Sequence, residues 1–266
     1  MRIRTMAAAV FVALATAGTT AGPAAADSPY LRPNLFDASG RDHVTVEAGF
    51  TDDIFAGRVA MRSEHFNIFG PNGETPLDAI TYFTDVAVFE APTPVDGTYR
   101  ISSGRREGRF GKMYRSAAGW KFVGEESGVT PPESEQVETQ SITVADVYVT
   151  RGEGGEAPAA RGTGVEVIPV THPADIVAGE DAVFQLLIDG QPRAGLPITV
   201  FREAGRYDGR LVEADVVSGP DGRFIVRPSA PGAYLTLIRY RGEAPAGSAT
   251  PYQSQSHALT FIAGAN

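Results

Sequence analysis

Between Gly179 and Ile262 short apolar runs alternate with tight turns. Ala182–Ile188 runs into Asp189-Gly190-Gln191-Pro192 and Ala194-Gly195, Pro220-Asp221-Gly222 leads into Arg223-Phe224, and Pro231-Gly232 leads into Ala233-Tyr234. Gly supplies positive φ and Pro a fixed φ, so such dipeptides punctuate a chain rather than extend a helix. The runs between them have the length of strands, and turns at this spacing are the pattern of an all-β sandwich. Adding Val165–Pro169, Ile198–Phe201, Leu211–Val217, Arg223–Val226, Tyr234–Tyr240 and Ala258–Ile262 gives roughly seven strands, the number an immunoglobulin-like sandwich uses.

The first half reads the same way. Val44-Thr45-Val46-Glu47-Ala48 alternates apolar and polar, which places Val44, Val46 and Ala48 inward. His65–Phe69 repeats the pattern with Phe66 and Ile68 inward, and Gly70-Pro71-Asn72-Gly73 closes it as a turn. Asp85–Glu90 and Thr98–Ser102 are further strands. Phe110–Arg115 and Gly119–Val123 form a hairpin, and the β-branched run Ile142–Val149 ends the half. Residues 27–42 form a leading arm, and 124–139 a loop. Arg151–Gly164, with five Gly and little that could anchor a core, is a domain linker. The expected organisation is a signal peptide at 1–26, an N-terminal sandwich at 27–150, the linker at 151–164 and a C-terminal sandwich at 165–266. A faint repeat relates the halves: Gly70–Gly73 echoes Gly219–Gly222, and Pro94–Tyr99 echoes Pro231–Tyr234, each a Pro/Gly turn that delivers a Tyr to a strand.

The first 26 residues carry the marks of a secretion signal: Arg2 and Arg4, the apolar run Met6–Ala17, and Ala24-Ala25-Ala26 ahead of a cut at Asp27. The expected location is a periplasm or the cell exterior. The apolar run is shorter than the ~20 residues that span a bilayer. There is no Cys, so thiol nucleophiles, thiolate metal sites and disulfide staples are excluded. The whole chain carries a formal charge of −9, and cleavage would remove two Arg and no acid. Such acidity argues against nucleic acid or an anionic membrane surface as partner.

No Gly-x-Ser-x-Gly elbow, His-Glu-x-x-His helix or phosphate-binding Gly-rich loop is present, so the expectation is a protein without catalytic activity. His43, His65, His172 and His257 lie too far apart in sequence for a local helical metal site. One or two of them with Asp52, Asp53 or Glu64 would make a mixed imidazole and carboxylate set suited to divalent first-row ions; as a pair in a turn, Asp52-Asp53 also fits simple capping. Arg100, Arg105, Arg106, Arg109, Lys112, Arg115 and Lys121 form a basic band with interleaved Phe110, Tyr114 and Trp120. Arg105, Arg106, Arg109 and Trp120 are its candidate partner surface, since Arg and Trp dominate binding hot spots.

Gly164–Asp175, Ala178-Gly179-Glu180, Asp189-Gly190-x-Pro192-x-Ala194-Gly195, Asp221–Phe224 and Ala258–Phe261 together resemble domain-of-unknown-function family 4198. Val44–Ala48 followed by Asp52-Asp53-Ile54-Phe55 is similar to that family's opening strand and turn. The resemblance spans nearly the whole chain after residue 26. It implies a two-domain sandwich related to periplasmic components of nickel and cobalt uptake, working beside a TonB-dependent outer-membrane receptor or an inner-membrane transporter. The second half is also similar to carboxypeptidase-regulatory-like sandwiches. On this reading the ligand is a divalent metal (Ni, Co, Zn or Cu) or its complex, and His43, Asp52, Asp53 and His65 are the candidate ligands. The alternative is an envelope interaction module with no small ligand, in which the hairpin from Arg100 to Lys121 is the contact surface.

Overall fold

The computed structural model describes residues 28–265; the expected signal peptide lies outside them. The strands are β1 (Ser28–Pro33), β2 (His43–Thr51), β3 (Val59–Ala60), β4 (Asn67–Gly70), β5 (Gly73–Pro76), β6 (Thr81–Tyr82), β7 (Ala87–Pro92), β8 (Gly97–Ser102), β9 (Arg106–Ser116), β10 (Gly119–Phe122) and β11 (Gln136–Arg151). After the Gly-rich stretch come β12 (Val165–Pro169), β13 (Ala182–Ile188), β14 (Gln191–Pro192), β15 (Pro197–Arg202), β16 (Val212–Val217), β17 (Arg223–Val226), β18 (Gly232–Glu243) and β19 (Tyr252–Ala263). The one α-helical segment among the described residues is a single turn at Gly205–Asp208.

The strands make three sheets. The first holds β1, β2, β3, β6 and β7, and the third holds β12, β13, β14 and β17. Between them runs a ten-stranded sheet whose main path is β16-β15-β18-β19-β11-β8-β4-β5, with β9 attached to β11 and β10 to β9. The junction is the parallel pairing of β11 with β19 from Thr139↔Tyr252 to Val147↔Thr260. On its other edge β11 pairs antiparallel with β9 and then with β8. A strand of 16 residues can serve three partners because its two edges bond in opposite directions over different stretches.

Strand alternation explains how one sheet serves two cores. On β11, Ala145, Val147 and Val149 face the first sheet and pack with Val44, Val46, Ala48 and Phe89. Tyr148 points the opposite way and joins Phe184, Leu186, Phe224, Leu259 and Phe261 against the third sheet. A third cluster sits on the back of β18 and β19, where Leu235, Leu237 and Ala258 meet Tyr30, Ile54 and Phe55 from the first sheet and its turn. The molecule is therefore all-β with immunoglobulin-like sandwich packing, and its two cores lie on opposite faces of one central sheet.

The repeat seen in sequence has a structural cause. Tyr99 Oη donates to the Val95 carbonyl at 2.6 Å and accepts from its N–H at 3.2 Å. Tyr234 does the same with Ala230, at 2.7 and 3.2 Å. Each is a tyrosine corner, a device of immunoglobulin-like sandwiches that ties a strand to the connection four residues earlier. Gly97 and Gly232, two residues before each Tyr, have φ of 153° and 143°. At Gly97 a Cβ would run into the Pro71 ring, so the two turn motifs of the first half lock against each other.

Two expectations need correction. The leading arm begins with a strand: β1 pairs with β2 along its length and buries Tyr30 and Leu31 completely. Pro29 and Pro33 suggest a broken segment, but β1 is an edge strand, where a missing N–H costs no ladder bond. The 124–139 loop ends early, because Gln136 already begins β11. Its polar start is extended by pairing with β9 rather than by apolar periodicity.

Candidate functional site

The candidate metal ligands do not converge. His43 opens β2, with Nδ1 2.7 Å from Asp42 and Nε2 3.8 Å from Glu90. Asp52 and Asp53 follow the other end of that strand, roughly 30 Å away at ~3.3 Å per residue. Asp52 is paired with Arg58, and Asp53 lies 3.4 Å from Arg206 of the helical turn. The turn at Asp52–Phe55 is a docking element: it carries Ile54 and Phe55 into the junction cluster. Among the described residues no group of three or more His, Asp or Glu is disposed to hold a metal ion.

His65 sits instead with part of the candidate partner surface. Arg62, Ser63, Glu64, His65, Tyr82, Arg105, Arg106 and Glu107 line a groove of about 800 Å³. Its loop is fastened: Ser63 Oγ donates to the Ser103 carbonyl at 2.6 Å and accepts from the His65 N–H at 3.2 Å, and Tyr82 Oη donates to the Ser63 carbonyl at 3.3 Å. Gly104, at φ +61°, lets the chain pass so close that a Cβ there would strike the His65 carbonyl. This close approach brings Arg105 and Arg106 beside the 62–65 loop.

The groove is cationic. Arg105 leans toward Glu107 at 3.8 Å. Arg106 donates through Nε to the Arg62 carbonyl at 2.8 Å and lies over the Phe50 ring at 5.0 Å. The Arg62 guanidinium lies over Tyr82 at 4.6 Å. Burial, then the Arg109 charge, pulls the Arg106 pKa below its usual value; a guanidinium is still charged at every working pH. Arg109 is exposed on β9 next to this patch. Trp120 belongs elsewhere. It lies at the far end of β9 and β10, packs on Tyr252 at 4.6 Å, and accepts at its carbonyl from Arg241 at 2.9 Å.

Behind the groove lies a set of buried charges that no local motif announces. Asp146 on β11 accepts from Arg161 at 2.8 Å and lies 2.9 Å from His257 Nε2 on β19. Glu166 on β12 accepts from Arg100 on β8 at 3.1 Å and from the Arg161 N–H at 2.9 Å. Arg100 also donates to the Ala159 carbonyl at 2.8 Å. Two guanidiniums thus face two carboxylates, and Arg161 of the Gly-rich stretch joins strands from both halves. Burial alone would raise the Asp146 pKa; the Arg161 charge, the His257 hydrogen bond and charge, and Arg100 outweigh it and hold the carboxyl far below the usual range. The signal in the sequence is an Asp in the middle of the apolar run Ile142–Val149, a charge that needs partners if that strand is buried. Arg105, Glu107, Gln140, Arg161, Gln253 and Gln255 continue the groove into a polar cleft of about 710 Å³ over this network.

Fold and site together define an all-β, immunoglobulin-like sandwich protein with an arginine-rich groove beside its central sheet. The chain belongs to the family described as Domain of unknown function (DUF4198), whose model matches residues 24–242. No curated protein matches it. Among solved structures, the D0-D1 domain of intimin is 11% identical, covering 87% of this chain and 96% of that one at a TM-score of 0.22. The Yersinia pseudotuberculosis adhesin InvE is 14% identical, with 88% and 58% covered and a TM-score of 0.19. Murine CEACAM1b is 10% identical, with 90% and 100% covered and a TM-score of 0.22.

Proposed function

We propose that this protein is an exported, non-enzymatic interaction module of the cell envelope that docks an acidic surface of a partner protein on the face formed by Arg62, Arg105, Arg106 and Arg109. Export is inferred from the composition of the first 26 residues. The observation that carries the docking reading is the clustering of guanidiniums in a chain whose acids outnumber its bases by 32 to 23. Excess cations on one face of an acidic protein steer complementary partners and fix their register. The test is co-purification from an envelope extract with wild type and with R105E/R106E/R109E. The expected result is a partner retained by wild type, released by the triple variant and weakened as salt rises. Equal recovery on both proteins would reject this face as the contact. Calorimetric titration with nickel, cobalt, zinc and copper separates the metal-uptake alternative: saturable heat with any of them would favour it over docking.

A further inference from the structure

We propose that Arg62 and Arg106 form a discrete oxyanion site that takes one carboxylate or phosphate group. This rests on the docking reading, since an acidic partner side chain would be one source of that group, but it is testable on the isolated protein. Three features of the pair point to a ligand. First, among the described residues no carboxylate lies within 4 Å of either guanidinium, although Glu64 and Glu107 line the same groove and Glu107 is directed to Arg105. Exposed Arg residues in an acidic chain find carboxylates readily, as Arg58, Arg210 and Arg227 do here.

Second, both planes are held in place. The Arg62 guanidinium lies over the Tyr82 ring at 4.6 Å and that of Arg106 over the Phe50 ring at 5.0 Å. Stacking occupies the face of a guanidinium and leaves its in-plane N–H donors free, the edge that meets an oxyanion in a fork. Nε of Arg106 is bound to the Arg62 carbonyl, which fixes the side chain while its terminal N–H groups stay available. Third, the support is rigid: Ser63, Tyr82 and Gly104 fasten the loop that carries Arg62 against the start of β9. Ordering losses on binding are therefore small. Burial of the Arg106 guanidinium and the nearby Arg109 charge both disfavour its positive charge, and a bound anion would relieve both.

The test uses the full chain at low ionic strength, titrated separately with inorganic phosphate and with glutarate, read by calorimetry and by NMR shifts of arginine side-chain N–H groups. Wild type is expected to bind at least one probe at one saturable site. R62Q and R106Q are expected to weaken it about tenfold or more each, the range for a lost charge-assisted hydrogen bond. R193Q removes another aromatic-stacked guanidinium, the one over Tyr240 at 5.8 Å, and is expected to bind as wild type. If R62Q or R106Q melts early, R62K takes its place: it keeps the charge and loses the fork, and a several-fold loss is expected. The tighter probe names the chemistry of the natural group. No saturable binding of either probe, or equal weakening by R193Q, would overturn the site while leaving partner capture untouched. Probe binding without any charge-dependent partner keeps the site and removes the docking reading.

Discussion

At the scale of single residues the strongest constraint is Asp146. It is an acid fully enclosed between β11 and β19, and it is tolerated only because Arg161 and His257 reach it from other parts of the chain. Removing one member leaves an uncompensated buried charge, which costs about 3–5 kcal/mol. Asp146→Asn is expected to lower stability by that amount at neutral pH, measured by urea unfolding. The sign of the pH dependence follows from the lowered pKa. The stabilisation is fully present above the unfolded carboxyl value of ~4 and is lost as pH falls through the folded value. Wild type should therefore lose this stability progressively as pH falls below about 4, and the variant should show a flatter acid limb. A variant that melts like wild type at pH 7 would show the network to be dispensable. Tyr30 and Tyr148 give a second residue-scale outcome. Burial, then Glu47 for Tyr30 and Asp146 among the raising charges for Tyr148, pushes both phenols up to about 12. Phenolate absorbance in an alkaline titration should show two of the nine tyrosines ionising last, provided the fold survives.

At the scale of elements, the turn Asp52–Phe55 shows how a motif with a chemical look can serve packing. Asp53 and Arg206 are both partly exposed, so their pair contributes no more than about 1 kcal/mol. Phe55 is buried against Tyr30, ring centroids 5.6 Å apart. Phe55→Ala is expected to destabilise by about 3–5 kcal/mol and Asp53→Ala by about 1 kcal/mol or less, read from thermal or urea unfolding. The reverse order would return the acid pair to the list of functional residues. The inward faces of β2 and β4 were legible because their alternation is local; Val44, Val46, Ala48 and Ile68 are all buried as the pattern requires. The strand character of β1 and the early start of β11 were not legible. Pairing with β2 and β9 creates them, and a partner distant in sequence leaves no local period.

At the scale of the whole molecule, the continuous central sheet couples the two cores. The β11–β19 ladder, the cluster joining Tyr30, Ile54 and Phe55 to Leu235 and Leu237, and the Arg161 network all cross between the halves. The stretch 151–164 links β11 to β12, yet its Arg161 is held by two buried carboxylates. Unfolding is therefore expected to be one transition, with Trp120 fluorescence and far-ultraviolet circular dichroism changing together. Two separated transitions would show that the halves are energetically independent. Of the groove, Arg105 and Arg106 stand out in sequence as part of a basic band. Arg62 does not, because nothing in its neighbourhood reveals that Tyr82 will lie beneath it.

Local chemistry decided the strand content, the inward faces, the Pro/Gly turns that deliver Tyr99 and Tyr234, and the acidic balance against which a cationic patch stands out. These depend on near neighbours along the chain, and the order of residues records them. The meeting of His65 with Arg106 and the enclosure of Asp146 depend on which strands lie side by side. That choice is made by burial and hydrogen bonding between segments distant in sequence, 44 residues apart for Arg62 and Arg106 and 111 for Asp146 and His257, and only the folded chain expresses it.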